Sequence, residues 1–166
     1  KVELRRFTPG QEDPMTEAND DLGELLEETR ILLPGAELLA AFLIPLPFTE
    51  RFERLESHER TVFLFAFIAT IVALACFLTP AAYHRIARPI RDKAAFKKFA
   101  NRFIVVGLAP FSISLPLVAY LVTAVVTNTV VAMILSGFVS VLVLVLWWVI
   151  PYARLHRRES SAPSTR

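Results

Sequence analysis

The sequence has few of the residue types on which enzymatic and redox chemistry depends. Cys76 is its only cysteine and lies in an apolar run, which excludes a disulfide framework and a cysteine-based zinc or iron–sulfur site. No nucleotide-binding glycine-rich loop, HExxH pair, CxxC pair or G-x-S-x-G elbow occurs in the 166 residues. The three histidines lie at or beyond the ends of the apolar runs, where none could ligate a haem axially within a span. We therefore expect no enzymatic activity, no metal and no cofactor.

Charged residues are nearly absent from long stretches of the chain, although they make up 20% of it. They gather in the first third, in one central stretch and in the last dozen residues. Hydrophobic residues account for 54% of the chain, and its mean hydropathy of +0.49 is too high for an ordinary soluble domain of this length. This segregation indicates an integral membrane protein whose apolar surface faces lipid.

Four apolar stretches are long enough to cross a membrane, since a helix needs about 20 residues to span roughly 30 Å of hydrocarbon. They are residues 31–48, 61–83, 103–126 and 130–152. Because backbone groups in lipid must be paired within the segment, we predict an all-α, four-transmembrane-helix bundle. The membrane domain is predicted over residues 21–153, between a flexible segment at 1–20 and a flexible basic tail at 154–166.

The Lys and Arg residues predict the side of the membrane on which each loop lies. Fifteen of the eighteen lie in the N-terminal segment, the stretch 84–102 or the C-terminal tail, and three lie in 49–60. Since Lys and Arg concentrate in cytoplasmic loops, we expect both termini in the cytoplasm. We find no signal peptide ahead of the first span, so the spans themselves are expected to direct insertion.

Small residues recur along one side of two predicted spans. Helices in lipid associate mainly by close packing over small side chains, which makes these positions candidate helix contacts. They are Ala66, Ala69 and Ala73 in the second span and Ala132, Ser136 and Ser140 in the fourth. The contacts are predicted either within the bundle or with another subunit.

Glu37 is the only acidic residue within a predicted span. An ionised carboxylate in a membrane costs several kcal/mol unless it is paired, so Glu37 is a candidate functional group. It either binds a proton or cation, extends its carboxylate to the nearby cytoplasmic boundary, or pairs with Arg30 or Arg102 there. The other spans show no internal repeat and no second acid, so transport would need an oligomer that places several copies of Glu37 around one axis.

Charged amphipathic segments are predicted next to the spans on the cytoplasmic side. In residues 21–30 the leucines share one helical face and the acids share another, while a short helix capped by Asp92 carries lysines opposite its phenylalanines. We predict that the acidic helix docks on the basic one or on a neighbouring subunit. The candidate contact residues are Glu24, Glu27, Glu28, Lys93, Lys97 and Lys98, with His84 and Arg85 as an interfacial anchor. No nucleic-acid partner is expected, because the basic loop adjoins the membrane.

Three motifs resemble a domain-of-unknown-function family of small four-span bacterial inner-membrane proteins. They are the segment Asp21–Gly35, the run Pro47–Phe52 with Leu55 and Arg60, and the run Pro80–Arg85. Some members of that family are labelled automatically as sodium/proton antiporters. The resemblance covers about Asp21 to Pro151 and implies the four-span topology and a bacterial inner-membrane location. It implies no established activity and no catalytic or ion-binding residues.

The sequence as a whole predicts a non-enzymatic structural or accessory subunit of a larger bacterial membrane complex, for which an energy-transducing complex is one candidate host. Its expected partners are membrane lipids and other membrane-protein subunits. The alternative is an oligomeric proton- or sodium-coupled transporter or channel, a homo-oligomer in which Glu37 is the titrating group.

Overall fold

The computed structural model describes residues 31–87 and 93–159, without the side chains of Lys93 and of residues 155–159. All regular secondary structure in these two stretches is helical. The elements are α1 at 31–43, a 3₁₀ turn at Leu46–Phe48, α2 at Glu50–Glu53, α3 at Ser57–Ile86, α4 at Lys93–Val126, α5 at Thr129–Leu144, a π-helical turn at Val145–Val149, and α6 at Ile150–Glu159.

Four helical stretches in the described residues are long and apolar enough to cross a membrane. They are Ile31–Phe48, Ser57–Ile86, Ala94–Val126 and Thr129–Arg154. The predicted all-helical architecture with four apolar helices is therefore confirmed. The acidic helix predicted at residues 21–30 and the predicted cap Asp92 lie outside the described residues.

The first candidate span changes its helix type before it ends. The α-helix α1 ends at residue 43, and Pro45 begins the 3₁₀ turn Leu46–Phe48. Proline lacks a backbone N–H and disfavours the α conformation in the residue before it, and two prolines, Pro45 and Pro47, lie within three residues here, which favours the end of α1 at this point. Thr49 closes the turn, since its backbone N–H and its hydroxyl both donate to the Leu46 carbonyl, at 3.1 and 2.7 Å.

Helix α3 begins at Ser57, ahead of the predicted start at Thr61. Its first turn is held by a capping box, in which the Glu56 side chain accepts from the backbone of Glu59 and the Glu59 carboxylate accepts from the Glu56 N–H at 3.0 Å. Glu56 occupies the cap position of this helix. The polar first turn thus extends the helix beyond the apolar run.

Helix α4 is continuous from Lys93 to Val126. The prediction of a separate short basic helix before the third span is therefore wrong. The residues between Phe96 and Phe103 include no proline or glycine, and lysine and alanine are strong helix formers, so nothing interrupts the helix there. Pro110 and Pro116 lie inside α4 and each removes one intrahelical hydrogen bond.

Helix α4 is the central helix of the bundle. Helices α3 and α5 both pack along α4 and make little contact with each other. In the most apolar part of Ala94–Val126, which belongs to α4, 33% of the residues are buried. In the most apolar part of Thr129–Arg154, which begins with α5, 11% are buried. Helix α1 completes the core in two clusters shared with α3 and α4, one around Ala36 and Phe77 and one around Leu43 and Phe63.

A tight hairpin joins α4 to α5. The Asn128 side chain caps α5 by accepting from the Val131 N–H at 3.0 Å. Near its other end the helix widens into the π-helical turn, just before Pro151, which has no N–H to donate to the Trp147 carbonyl. The helix then runs on to Glu159, into the segment predicted as a flexible tail.

Candidate functional site

Glu37 lies on the side of α1 that faces away from the core. The buried side chains of α1 are Ala36, Ala40 and Leu43, whereas Glu37 is exposed. Its carboxylate makes no hydrogen bond or ion pair with another residue in 31–87 or 93–159, and the pair with Arg102 is not formed. Arg30, the other predicted partner, lies outside the described residues. The structure therefore presents Glu37 to whatever surrounds the bundle.

The small residues of α3 lie mostly within this chain's own core. Ala66 and Ala73 are fully buried and Ala69 is half-buried. The close contact that this allows is measured at Gly107 of α4, where a Cβ would lie 2.7 Å from Cε1 of Phe77. Helices α3 and α4 therefore approach each other so closely here that a side chain larger than hydrogen at position 107 would force neighbouring atoms to shift.

The small residues of α5 lie along the side of that helix that packs against α4. Ala132 is fully buried and Ser136 and Ser140 are half-buried. The Ser136 hydroxyl donates to the Pro116 carbonyl at 2.8 Å, a polar contact between two helices that are otherwise apolar. Hydrogen bonds of this kind stabilise membrane helix pairs by about 0.6 kcal/mol on average.

Two tryptophans of the π-helical turn extend the α4–α5 contact. The Trp147 ring stacks on Phe111 with the ring centroids 5.9 Å apart. The Trp148 indole N–H donates to the Ser112 hydroxyl at 3.1 Å, and that hydroxyl donates in turn to the Leu108 carbonyl at 2.6 Å. The π-helical turn thus carries two successive indoles that both contact α4.

An aromatic cluster lies at the end of the bundle where α3 ends and α4 begins. The Tyr83 ring lies 4.8 Å from Phe99 and 5.8 Å from Phe96, and the His84 ring also lies 5.8 Å from Phe96. The predicted contact residues are distributed around this cluster. His84 and Lys97 are half-buried, and Arg85 and Lys98 are exposed. Glu24, Glu27 and Glu28 lie outside the described residues, as does the side chain of Lys93, so their predicted docking stays a prediction.

His58 joins α3 to α4 at the opposite end of the bundle. Its Nδ1 lies 3.3 Å from the Glu56 carboxylate, and its Nε2 lies 3.2 Å from the Tyr120 hydroxyl. Both contacts are exposed to the surroundings. This group could not be predicted from the sequence, because His58 and Tyr120 are 62 residues apart and carry no shared motif.

The described residues show no constellation of a known enzyme. They include no group of three or more His, Cys, Asp or Glu side chains that could hold a metal ion. The two buried polar residues, Thr70 and Ser114, donate to the carbonyls of Ala66 and Phe111 within their own helices, at 2.8 and 3.0 Å. Neither hydroxyl is therefore directed at a ligand.

These features define a class, an all-helical bundle with four helices apolar enough to cross a membrane and with an acidic side chain on its outer face. The chain belongs to DUF6328, a family of unknown function, which matches residues 11–151. The predicted membership in a family of unknown function is thereby confirmed. Neither a curated protein nor a solved structure matches the chain.

Proposed function

We propose that this chain is a non-enzymatic accessory subunit of a larger complex in a bacterial inner membrane. It crosses the membrane four times with both termini in the cytoplasm, as the distribution of Lys and Arg predicts. The four apolar helices of the described residues support the membrane placement. The role of the subunit is to contribute helix packing within the membrane and charged contacts on the cytoplasmic side.

The position of Glu37 is the single observation that carries this proposal. In a membrane, an ionised carboxylate on the outer face of a helix is unfavourable by several kcal/mol unless a partner compensates it. No residue that the structure describes supplies this partner. A basic or hydrogen-bonding group from a neighbouring subunit would do so, which makes α1 a contact face.

The open faces of α1 and α5 support the same reading. A Cβ added at Gly35 or at Gly137 would meet nothing within 4 Å, in contrast to the crowded Gly107. Glycines on open helix faces allow another helix to approach closely. Helices in lipid associate mainly through such close packing, because the hydrophobic effect contributes little between them. Both glycines are thus suited to contacts outside this chain.

Purification from native membranes with a mild detergent tests the accessory role. We expect the tagged chain to recover a defined set of membrane proteins, and Glu37→Gln to recover less of at least one of them. Glu50→Gln is the matched control, since Glu50 is exposed on α2 outside the apolar helices. Recovery of the same proteins by both variants, or of none by the wild type, would contradict the proposal.

Cysteine labelling in intact cells tests the topology separately. In a Cys76→Ala background, Thr127→Cys in the α4–α5 hairpin should react with a maleimide that cannot cross the inner membrane. Arg85→Cys should react only after the membrane is permeabilised. Labelling of Arg85→Cys in intact cells would refute the orientation, and labelling of both sites to the same extent would refute the four-span topology.

The second candidate function is an oligomeric proton- or sodium-coupled transporter or channel. The same outward position of Glu37 favours it, because copies of α1 around one axis would bring several carboxylates together. Reconstituted vesicles distinguish the two functions. Proton or sodium flux that is lost in Glu37→Gln and kept in Glu50→Gln would favour transport, whereas absence of flux with defined partners would favour the accessory subunit.

A further inference from the structure

Two adjoining cavities lie at the end of the bundle where α3 begins and α4 ends. One is a charged cavity of about 350 Å³, lined by Arg51, Arg54, Leu55, Glu59, Ala124 and Val125. The other is an apolar groove of about 220 Å³ between the end of α1 and the last turns of α4. Leu55 and Val125 line both, so the charged cavity opens directly beside the apolar groove.

The guanidinium groups of Arg51 and Arg54 are available to a ligand. Neither makes a hydrogen bond or ion pair with another described residue. Arg60, the third arginine at this end, is different, because its side chain donates to the carbonyls of Glu53 and Leu55 at 2.7 and 3.1 Å. Two arginines three positions apart on one helical turn can clamp a single phosphate group.

The acids at this end leave the cavity with a positive balance. Among the described residues, Glu59 is the only acid that lines it, and its carboxylate already accepts from the Glu56 N–H in the capping box. The carboxylates of Glu50 and Glu53 do not line the cavity. Two guanidinium groups against one carboxylate match a ligand group with a single negative charge.

The apolar groove matches a hydrocarbon chain. Phe42, Leu46, Leu121 and Val122 contribute to its walls, and almost all of its surface is apolar. It lies along the last turns of α4, while Arg51 and Arg54 lie beyond the end of α1. In a membrane this arrangement places the arginines at the level of the headgroups and the groove at the level of the acyl chains.

We propose that these cavities form one binding site for an anionic glycerophospholipid. Its phosphate lies between Arg51 and Arg54, and one acyl chain occupies the groove. The site rests on the proposed membrane insertion but not on the accessory role. It is distinct from Glu37, which lies on the outer face of α1, and nothing in the family membership assigns it.

Native mass spectrometry of the purified full chain in detergent tests the proposal. Delipidated protein is titrated with dioleoyl phosphatidylglycerol and, separately, with dioleoyl phosphatidylcholine. We expect phosphatidylglycerol to bind about tenfold more tightly, because only its headgroup has a net charge that neutralises the cavity. Arg51→Gln/Arg54→Gln should abolish this preference, since it removes both phosphate contacts.

Two further variants separate the charged cavity from the groove. Arg85→Gln/Lys98→Gln removes two exposed cations at the opposite end of the bundle, and should keep the preference for phosphatidylglycerol. Val122→Trp fills the groove and should weaken the binding of both lipids by a similar factor. An unchanged circular dichroism spectrum would show that this variant keeps its fold.

Several outcomes would overturn the proposal. One is equal binding of the two lipids by the wild type, and another is an undiminished preference in Arg51→Gln/Arg54→Gln. Displacement of the lipid by millimolar inorganic phosphate would indicate a site for the free anion. A dimer that excludes lipid would indicate that a second copy covers the groove. A chain that is monodisperse without detergent would refute membrane insertion itself, independently of these lipid measurements.

Discussion

Replacement of Gly107 by alanine tests the closest approach between α3 and α4. The added Cβ would lie 2.7 Å from Cε1 of Phe77 and 2.9 Å from the Cβ of Cys76, where ordinary contacts begin at 3.4 Å. The atoms must therefore separate by about 0.5–0.7 Å at this crossing. The Phe77 ring cannot turn aside easily, because it is fully buried and packs edge-on against Phe111. The Cβ of Cys76 can move only with the α3 backbone.

The expected cost follows from two opposing effects. Inserting a methyl group into a well-packed core costs about 1–3 kcal/mol, whereas alanine gains about 0.8–1 kcal/mol over glycine in helix propensity. We therefore expect Gly107→Ala to lower the free energy of unfolding by up to about 2 kcal/mol relative to the wild type, and by about 1–3 kcal/mol relative to a glycine-to-alanine change that meets no neighbour. Titration of the detergent-solubilised chain with dodecyl sulfate, followed by circular dichroism, measures this change.

Gly137→Ala is the matched control, since a Cβ at Gly137 meets nothing within 4 Å. We expect this variant to raise the free energy of unfolding by about 0.8–1 kcal/mol, because it gains helix propensity and meets no neighbour. In a Phe77→Ala background, Gly107→Ala should cost about 1 kcal/mol less, because the ring that it collides with is gone. Equal stabilities of Gly107→Ala and Gly137→Ala would show that α3 and α4 do not approach as closely as described.

Three further predictions concern the α4–α5 contact and α1. Ser136→Ala should lower the free energy of unfolding by about 0.6–1 kcal/mol, because it removes the hydrogen bond to the Pro116 carbonyl; an equal effect of Ser140→Ala would argue against that bond. Asn128→Ala should cost about 1 kcal/mol by loss of the cap, and Asn128→Asp should restore most of it, both measured by dodecyl sulfate titration. Glu37→Gln should change the stability of the purified chain by less than about 0.5 kcal/mol; a larger loss would reveal an ion pair within the chain.

The four apolar helices could be predicted from sequence, because the length of an apolar run and the absence of charge are local properties. Helix ends were harder to predict, since they depend on polar residues that hydropathy ignores. Glu56 and Glu59 start α3 before its apolar run begins, and Pro45 ends α1 before its apolar run does. Both helix ends can be predicted from the sequence when helix caps and prolines are considered before hydropathy.

The candidate sites could be predicted only in part. Glu37 is conspicuous as an acid in an apolar run, but the face of α1 on which it lies depends on which neighbours α1 packs against. Arg51 and Arg54 look like ordinary loop cations, and their proximity to Val125 arises only when the end of α4 returns to α2. Contacts between residues so distant in the chain leave no periodic pattern in a single sequence.

The central position of α4 constrains the order in which the molecule can assemble. Helices α1 and α3 leave the ribosome before α4, yet the core clusters that they form require Phe111 and Leu121, which α4 supplies. On the membrane placement proposed above, the first half of the chain waits in the bilayer with its inner faces incomplete until α4 arrives. Helix α5 packs mainly on α4, so it can complete its contacts only after α4 is in place.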